Sequence, residues 1–400
     1  MQSLTELYKA GRGPSSSHTM GPDRAARRFL AAHPEADAFL VTLYGSLAKT
    51  GQGHGTDRVL HEAFAPLPVS IVLDEKTQEL PHPNTMDLTA LKEGVPLDRW
   101  RVMSVGGGTI EVQGQPTATP EDIYPHSTFA DIKAFCVENN LRLWEYVAQV
   151  EGEGIWDFLY DIWNAMETCI KEGLEAQGFL PGGLSIERRA HSLYHGGHMD
   201  ETAATRENRL ICAYAFAAGE QNASGGTVVT APTCGACGVL PAVLQYTKQT
   251  RGVADSQVLR ALATGGLIGN LIKTNASISG AECGCQAEIG SACSMAAAAL
   301  AEFYDMTLDQ IEYSAEIAME HHLGLTCDPI RGLVQIPCIE RNAVAAMRAL
   351  NAVRLANFLT NSRKISFDMV VETMYQTGLD MSHQYKETSE GGLARLYETP

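Results

Sequence analysis

Two groups of residues in this chain have types and spacings that could do chemistry. The first is GPSSSHTMGP, Gly13 to Pro22, where Ser15, Ser16 and Ser17 precede His18 and Thr19 between two Gly-Pro pairs. A serine beside a histidine fits an activated nucleophile, a glycine-serine loop fits a phosphate cradle, and a proline-bounded polar turn fits no chemistry at all. The stretch alone leaves all three open. The second group is cysteine. Of ten, Cys136, Cys169 and Cys212 are scattered, whereas Cys234, Cys237, Cys283, Cys285, Cys293, Cys327 and Cys338 crowd into one region.

Three of these, Cys285 in GAECGCQAEIG, Cys327 in LTCDPI and Cys338 in QIPCIERNA, sit in loop or helix-end contexts that can converge. The 42 residues from the first to the second hold a small-residue helix, Glu288 to Tyr304, and a helix starting at Thr307. An antiparallel helix pair returns the chain to its starting level, which brings Cys327 back toward Cys285. Pro329 and Pro337 bracket an irregular segment, so Cys338 can reach the same place. Three thiolates suit a soft metal or an iron-sulfur cluster, while three small buried apolar residues would read the same way. Spacing leaves both open. Cys234-x-x-Cys237 lacks a second such pair, and Cys283 is equally ambiguous, so close packing is the expectation for all three.

The elements that must position these groups change character along the chain. A helical pattern over Asp23 to Ala32 precedes strand patterns at Ala38 to Tyr44, Val69 to Leu73 and Arg101 to Ser104, and Gly106 to Gly108 opens a hairpin into Thr109 to Val112. Gln115 to Pro125 reads as a linker. Beyond it the pattern is helical throughout, with long amphipathic segments at Phe129 to Val150 and Trp156 to Gln177, and a capping box of Thr307 with Gln310 closed by Gly324. The expected fold is a small α+β N-terminal domain, residues 1–125, followed by a larger all-α domain, residues 126–400.

Composition narrows the partners. A net charge of −17 over 400 residues argues against general affinity for nucleic acid or anionic membrane surfaces. No window reaches the roughly 18 apolar residues of a membrane span, and the first twenty carry no signal-peptide core. The expectation is a cytoplasmic protein with a small-molecule substrate and thiols rather than disulfides. The Ala-rich helices lead us to expect a homo-oligomer, with a dimer as the simplest form.

GPSSSHTMGP, YGSLAKTGQGHGTD, HPNTM, SVGGGTI, NASGGTVVTAPT, NASISGAECGCQAE, CDPIRGLVQIPCIERNA and YKETSEGGLA occur in that order over residues 10–394. In this the chain resembles the iron-sulfur-dependent bacterial L-serine dehydratases (L-serine ammonia-lyases) in their fused, single-chain form. The resemblance implies a 4Fe-4S cluster held by Cys285, Cys327 and Cys338, and a serine-histidine loop of the small domain closing on it. Some members end in a cysteine that folds back toward the open iron; this chain ends GGLARLYETP, so that feature does not carry over.

For such an enzyme the open iron is a Lewis acid for the serine β-hydroxyl, and a base takes the α-proton. His54, between Gly53 and Gly55, is the expected base, with His18 orienting substrate or assisting the leaving group. Ser15, Ser16, Ser17, Thr19, His82, Asn84, Asn275, Ser277 and Ser279 are the expected substrate ligands. Arg188, Arg189 and Arg341 are further candidates for charge, and Lys386 with Glu387 for a supporting pair. Elimination on threonine or cysteine, and a non-enzymatic iron-sulfur sensor, are the alternatives. A pyridoxal enzyme using Lys49 or Lys273 is disfavoured because neither lies in a recognisable pyridoxal motif. A kinase is disfavoured because no Walker pattern exists and Pro14 removes a backbone donor.

Overall fold

The computed structural model describes residues 1–115, 120–197, 199–359 and 362–397. Residues 116–119 of the expected linker lie outside this set.

The chain begins inside what becomes the helical body. Met1, Leu4, Leu7 and Tyr8 are buried in the larger core, and the Tyr8 hydroxyl donates to the Leu262 carbonyl at 3.0 Å. Strand β1, Ala10–Arg12, then pairs antiparallel with a distant strand, Thr227–Val229. Only after this anchor does the chain run through Gly13–Pro22 into the smaller unit, so that loop lies at the joint between the two.

The smaller unit is one five-stranded sheet. Its strands are β2 (Ala38–Tyr44), β3 (Val69–Asp74), β4 (Thr85–Lys92), β5 (Val95–Gly106) and β6 (Thr109–Val112), in the order β3-β2-β4-β5-β6. Only β2 and β3 run parallel. Alternation in AFLVTLY puts Phe39, Val41 and Leu43 into a core with Ala25, Ala26 and Phe29 of the helix Gly21–Ala32 and with Leu60 and Phe64. The crossover from β2 to β3 carries two helices, Gly45–Thr50 and Thr56–Phe64, and His54 lies in the turn between them. Strand β4 escaped the sequence reading because Asp87 breaks its apolar run. That carboxylate is buried and held by Tyr44, Arg99 and Arg101. Strand β5 is longer than expected, since Asp98 and Arg99 hide its start.

Among the described residues the larger unit is helical apart from the two-stranded ribbon that strand β7, Thr227–Val229, makes with β1, which the all-α expectation missed. At its centre lies the helix Ser291–Phe303, all 13 residues of which are buried. It is ringed by Val239–Arg251, Asp255–Asn275, Leu308–Glu320 and Cys338–Leu359. Small residues are required here: a Cβ on Gly265 would stand 2.9 Å from the Met295 carbonyl oxygen. Its alanines are thus consumed within one chain and carry no argument for a subunit interface. The helix expected over Phe129 to Val150 is two, Phe129–Glu138 and Leu143–Glu151, parted where Asn140 takes φ 52°. The Thr307 capping box forms as expected and starts the helix Leu308–Glu320.

Candidate functional site

The cleft at the joint is built from both units. Its lining includes Pro14, Ser15, His54, Cys285, Cys327, Cys338 and Glu387.

On the sheet side, Gly13–Pro22 is pinned by short hydroxyl side chains. The Ser15 hydroxyl accepts from the His18 backbone N–H at 3.1 Å, and the Ser15 N–H donates to Thr19 Oγ1 at 3.1 Å. Thr19 in turn donates to the His54 carbonyl at 2.8 Å, and Thr56 donates to the His18 carbonyl at 2.5 Å. The two histidine segments are therefore one hydrogen-bonded object. Their rings stack with centroids 4.4 Å apart.

The network fixes both tautomers. His18 Nε2 lies 3.0 Å from Ser46 Oγ and from Thr50 Oγ1. Both hydroxyl protons are already given away, Ser46 to the Glu387 carbonyl and Thr50 to the Ser46 carbonyl. His18 Nε2 must therefore carry the proton, which leaves Nδ1 bare and without a partner. His54 donates from Nδ1 to the Thr50 carbonyl at 2.9 Å, so its Nε2 is bare. Both bare nitrogens face Glu387 Oε1, at 3.6 Å from His18 and 3.5 Å from His54. These are contacts short of hydrogen bonds. Burial lowers His54 to about 4, and burial with the neighbouring His54 ring puts His18 well below its usual value. Both rings are uncharged at neutral pH.

On the helical side, Cys285 precedes the turn Gln286–Gly290, Cys327 follows the returning helix, and Cys338 opens the helix Cys338–Leu359. One ligand atom each from Cys285, Glu288 and Cys327 lie within 4.8 Å of one another. A hydrogen bond from Cys327 and the charge of Arg341 bring the Cys285 thiol down to about 6, against its burial. The same bond and burial push Cys327 well up, so the pair ionises first at Cys285. Burial raises Cys338 and lifts Glu288 to about 8. Arg341 bonds the Thr326 carbonyl at 2.6 Å and Asp328 at 3.3 Å, which places its charge behind the thiols. All ten cysteines are free. Three unbridged thiols meeting one cation in a closed pocket form a donor set that fits a soft metal cluster.

Glu387 is the residue that sequence reasoning missed, having paired it with Lys386. Residues 383–397 return over the site: the Cys327 N–H donates to the Tyr385 carbonyl at 2.7 Å, and the Glu387 N–H donates to the Cys327 carbonyl at 2.8 Å. At φ 58° Glu387 turns its side chain between the histidines and the cysteines. Burial, then the charges of Glu288 and Cys285, hold its carboxyl well above the usual range. The glycines and hydroxyls of YKETSEGG announce a turn, and no spacing announces its partners.

Other expected residues are placed variously. His82 accepts from the Asn84 N–H at 3.0 Å, and Asn84, fully buried, bonds the Ser104 carbonyl at 3.4 Å while its Oδ1 has no partner. Ser16 and Ser17 are buried in the turn Ser16–Met20. Asn275 is not brought to the cleft: it is exposed and closes a helix end by donating to the Leu271 and Ser127 carbonyls. Ser277 donates to Glu282 at 2.6 Å and lines a separate cavity with Lys273. Arg188 and Arg189 bond Gln221, Ser224 and Glu340 away from the site. Lys49 pairs with Glu390. Cys234, Cys237 and Cys283 are buried and absent from the cleft lining.

Known proteins share this arrangement of sequence. Residues 75–394 match the family model described as serine dehydratase alpha chain, and residues 3–65 match serine dehydratase beta chain. The chain belongs to the serine dehydratase family. It is 40% identical to an L-serine dehydratase of Haemophilus influenzae, over 98% of this chain and 99% of that one. It is 40% identical to L-serine dehydratase 2 of Escherichia coli, over 98% of each, and 38% identical to an L-serine dehydratase of Helicobacter pylori, again over 98% of each. The stretches matching the alpha-chain and beta-chain models are thus continuous in one chain here, the alpha-chain match starting just after β3. Among the described residues no helix is long and apolar enough to cross a membrane.

Proposed function

We propose that this protein removes water from L-serine, and that the product hydrolyses to pyruvate and ammonia. The observation that carries the reading is that three thiols and the His54 imidazole, from segments more than 200 residues apart, line one cleft, with His18 stacked on His54 and both bare nitrogens facing Glu387. The identity to L-serine dehydratases over the whole chain supports the substrate.

Cys285, Cys327 and Cys338 would hold a 4Fe-4S cluster, with Arg341 offsetting their charge. Such a group supplies Lewis acidity to a hydroxyl that is otherwise a poor leaving group. The protein's own residues do the rest. His54, with Nδ1 committed to the Thr50 carbonyl, presents its Nε2 lone pair as the base for the α-proton. His18 presents Nδ1 beside it and is placed to steer the departing hydroxyl. Glu387, in its protonated form, is placed to pass a proton to either nitrogen. The hydroxyls of Ser15, Ser16 and Ser17 and the free Asn84 Oδ1 suit the carboxylate and ammonium ends of a zwitterion, with Thr19, its proton spent on the His54 carbonyl, holding the loop in place. Loss of the α-hydrogen and β-hydroxyl as water leaves aminoacrylate, which tautomerises and takes up water to give pyruvate and ammonium. We place the protein in the cytoplasm and the division between the histidine-bearing and cysteine-bearing units near residue 125, with residues 1–12 packed into the cysteine-bearing unit.

Anaerobic purification with a visible spectrum, iron analysis and a pyruvate assay on L-serine tests this. Brown protein that releases pyruvate is the expected result. Colourless, iron-free protein with full activity overturns the cluster assignment, and iron-loaded protein inert toward L-serine overturns the substrate.

A further inference from the structure

A second histidine pair lies well away from this cleft. The helix Ala190–His195 carries His191 and His195 four residues apart, hence on one face. Their ring centroids are 4.3 Å apart with a 41° tilt. His191 donates from Nδ1 to the Leu174 carbonyl at 2.9 Å, and His195 donates from Nδ1 to the His191 carbonyl at 3.0 Å. A carbonyl accepts only from N–H, so in both rings Nδ1 holds the proton and Nε2 is a lone pair. Among the described residues neither Nε2 has a partner.

Both rings line a cleft of ≈ 670 Å³ with Glu167, Glu175, Lys171 and Tyr194. Glu175 directly follows the residue whose carbonyl fixes His191, and its side chain is exposed. Glu167 is paired with Lys248 at 2.8 Å.

We propose that His191 and His195 form a binding site for a divalent first-row transition ion such as Zn²⁺ or Ni²⁺. The geometry meets three requirements of an imidazole metal site. The donors are adjacent on one helix face, each carries its proton on the far nitrogen, and each far nitrogen is oriented by a backbone carbonyl, the outer partner that metal-bound histidines normally have. Imidazole nitrogen selects such ions over Mg²⁺ or Ca²⁺, which prefer oxygen. Water completes the coordination. The ion would tie the helix Ala190–His195 to itself across one turn and does not enter the elimination chemistry.

The test is calorimetric titration of Zn²⁺ into the anaerobic, iron-loaded protein, so that the cleft cysteines are already occupied. The wild type is expected to take up one equivalent. His191→Ala and His195→Ala should each weaken that uptake at least tenfold, with pyruvate release unchanged as proof of folding. Mg²⁺ should give no heat of binding. Equal Zn²⁺ affinity in the wild type and the double variant, or binding of Mg²⁺ as tight as Zn²⁺, overturns the proposal. Because the readout is metal uptake, failure here leaves the serine reading intact, and the converse holds.

Discussion

The two walls of the cleft are finished to different degrees. The histidine wall is complete in itself: every backbone and hydroxyl group that orients His18 and His54 has a partner within the protein, and the stacked rings need nothing added to hold their places. The cysteine wall is not. Cys285 and Cys327 have chiefly each other, Cys338 is half-buried with desolvation raising its thiol against the charge of Arg341, and Arg341 stands behind all three. Proton-moving groups are useful only when their tautomer is fixed before substrate arrives, whereas metal ligands must stay free for the metal. The difference teaches that folding commits the hydrogen-bonding groups around the histidines to partners within the protein, whereas it leaves the thiols with few partners besides one another and one cation.

The sharpest break of this contrast is Cys327→Ala. It should leave the histidine wall intact yet cut cluster iron and pyruvate release by more than about 100-fold, since even outer partners of metal sites cost 10–100-fold. Iron analysis alongside the rate checks it, and full iron with normal turnover would falsify the ligand assignment. Its mirror, His54→Gln, should keep iron and colour while kcat falls by about 10² to 10⁴, the usual worth of a general base. Loss of colour in that variant would mean the walls are not separable.

That division was only half visible in the sequence. Serines, histidines and glycines packed into short motifs pointed to the histidine wall, and the capping box at Thr307 correctly predicted the helix pair that returns Cys327 to Cys285. Long-range pairings were not visible. Nothing in YKETSEGG says that Glu387 will bond Cys327, because the parallel bridge between Cys327 and Lys386 joins residues too distant in sequence to leave a local pattern. Strand β4 was lost for a related reason: Asp87 reads as polar surface until Arg99 and Arg101 on the next strand neutralise it. Asn275 shows the opposite error, a polar residue in a suggestive motif whose amide is spent on a helix end.

The C-terminal return can be loosened without touching either wall's reacting atoms. Asp328 is buried and accepts from the Leu393 N–H at 2.7 Å, from Thr326 at 3.0 Å and from Arg341 at 3.3 Å. Asp328→Ala leaves these donors unmet and should cost about 1–3 kcal/mol in denaturant unfolding. It should also slow turnover, because Glu387 is carried on the released segment. Unchanged stability would show that the return is held by its backbone pairing alone.

The smallest effect expected comes from a third histidine, on the cysteine side but outside the cleft. His322 is buried, donates from Nδ1 to the Ala318 carbonyl at 2.7 Å, and is lowered by burial to about 4. In the unfolded chain its value returns to about 6.5. Between those two values the unfolded state binds the extra proton and the folded state does not, so stability is whole above about pH 6.5. It then falls with acid by up to about 1.4 kcal/mol per pH unit until pH 4. His322→Gln keeps the side chain polar but cannot charge, and should flatten this part of the pH–stability curve while lowering stability modestly at pH 7. Urea midpoints at pH 7 and pH 5 measure it. An equal acid loss in variant and wild type would assign the effect to the paired histidines of the cleft instead, and so return it to the wall that folding completes.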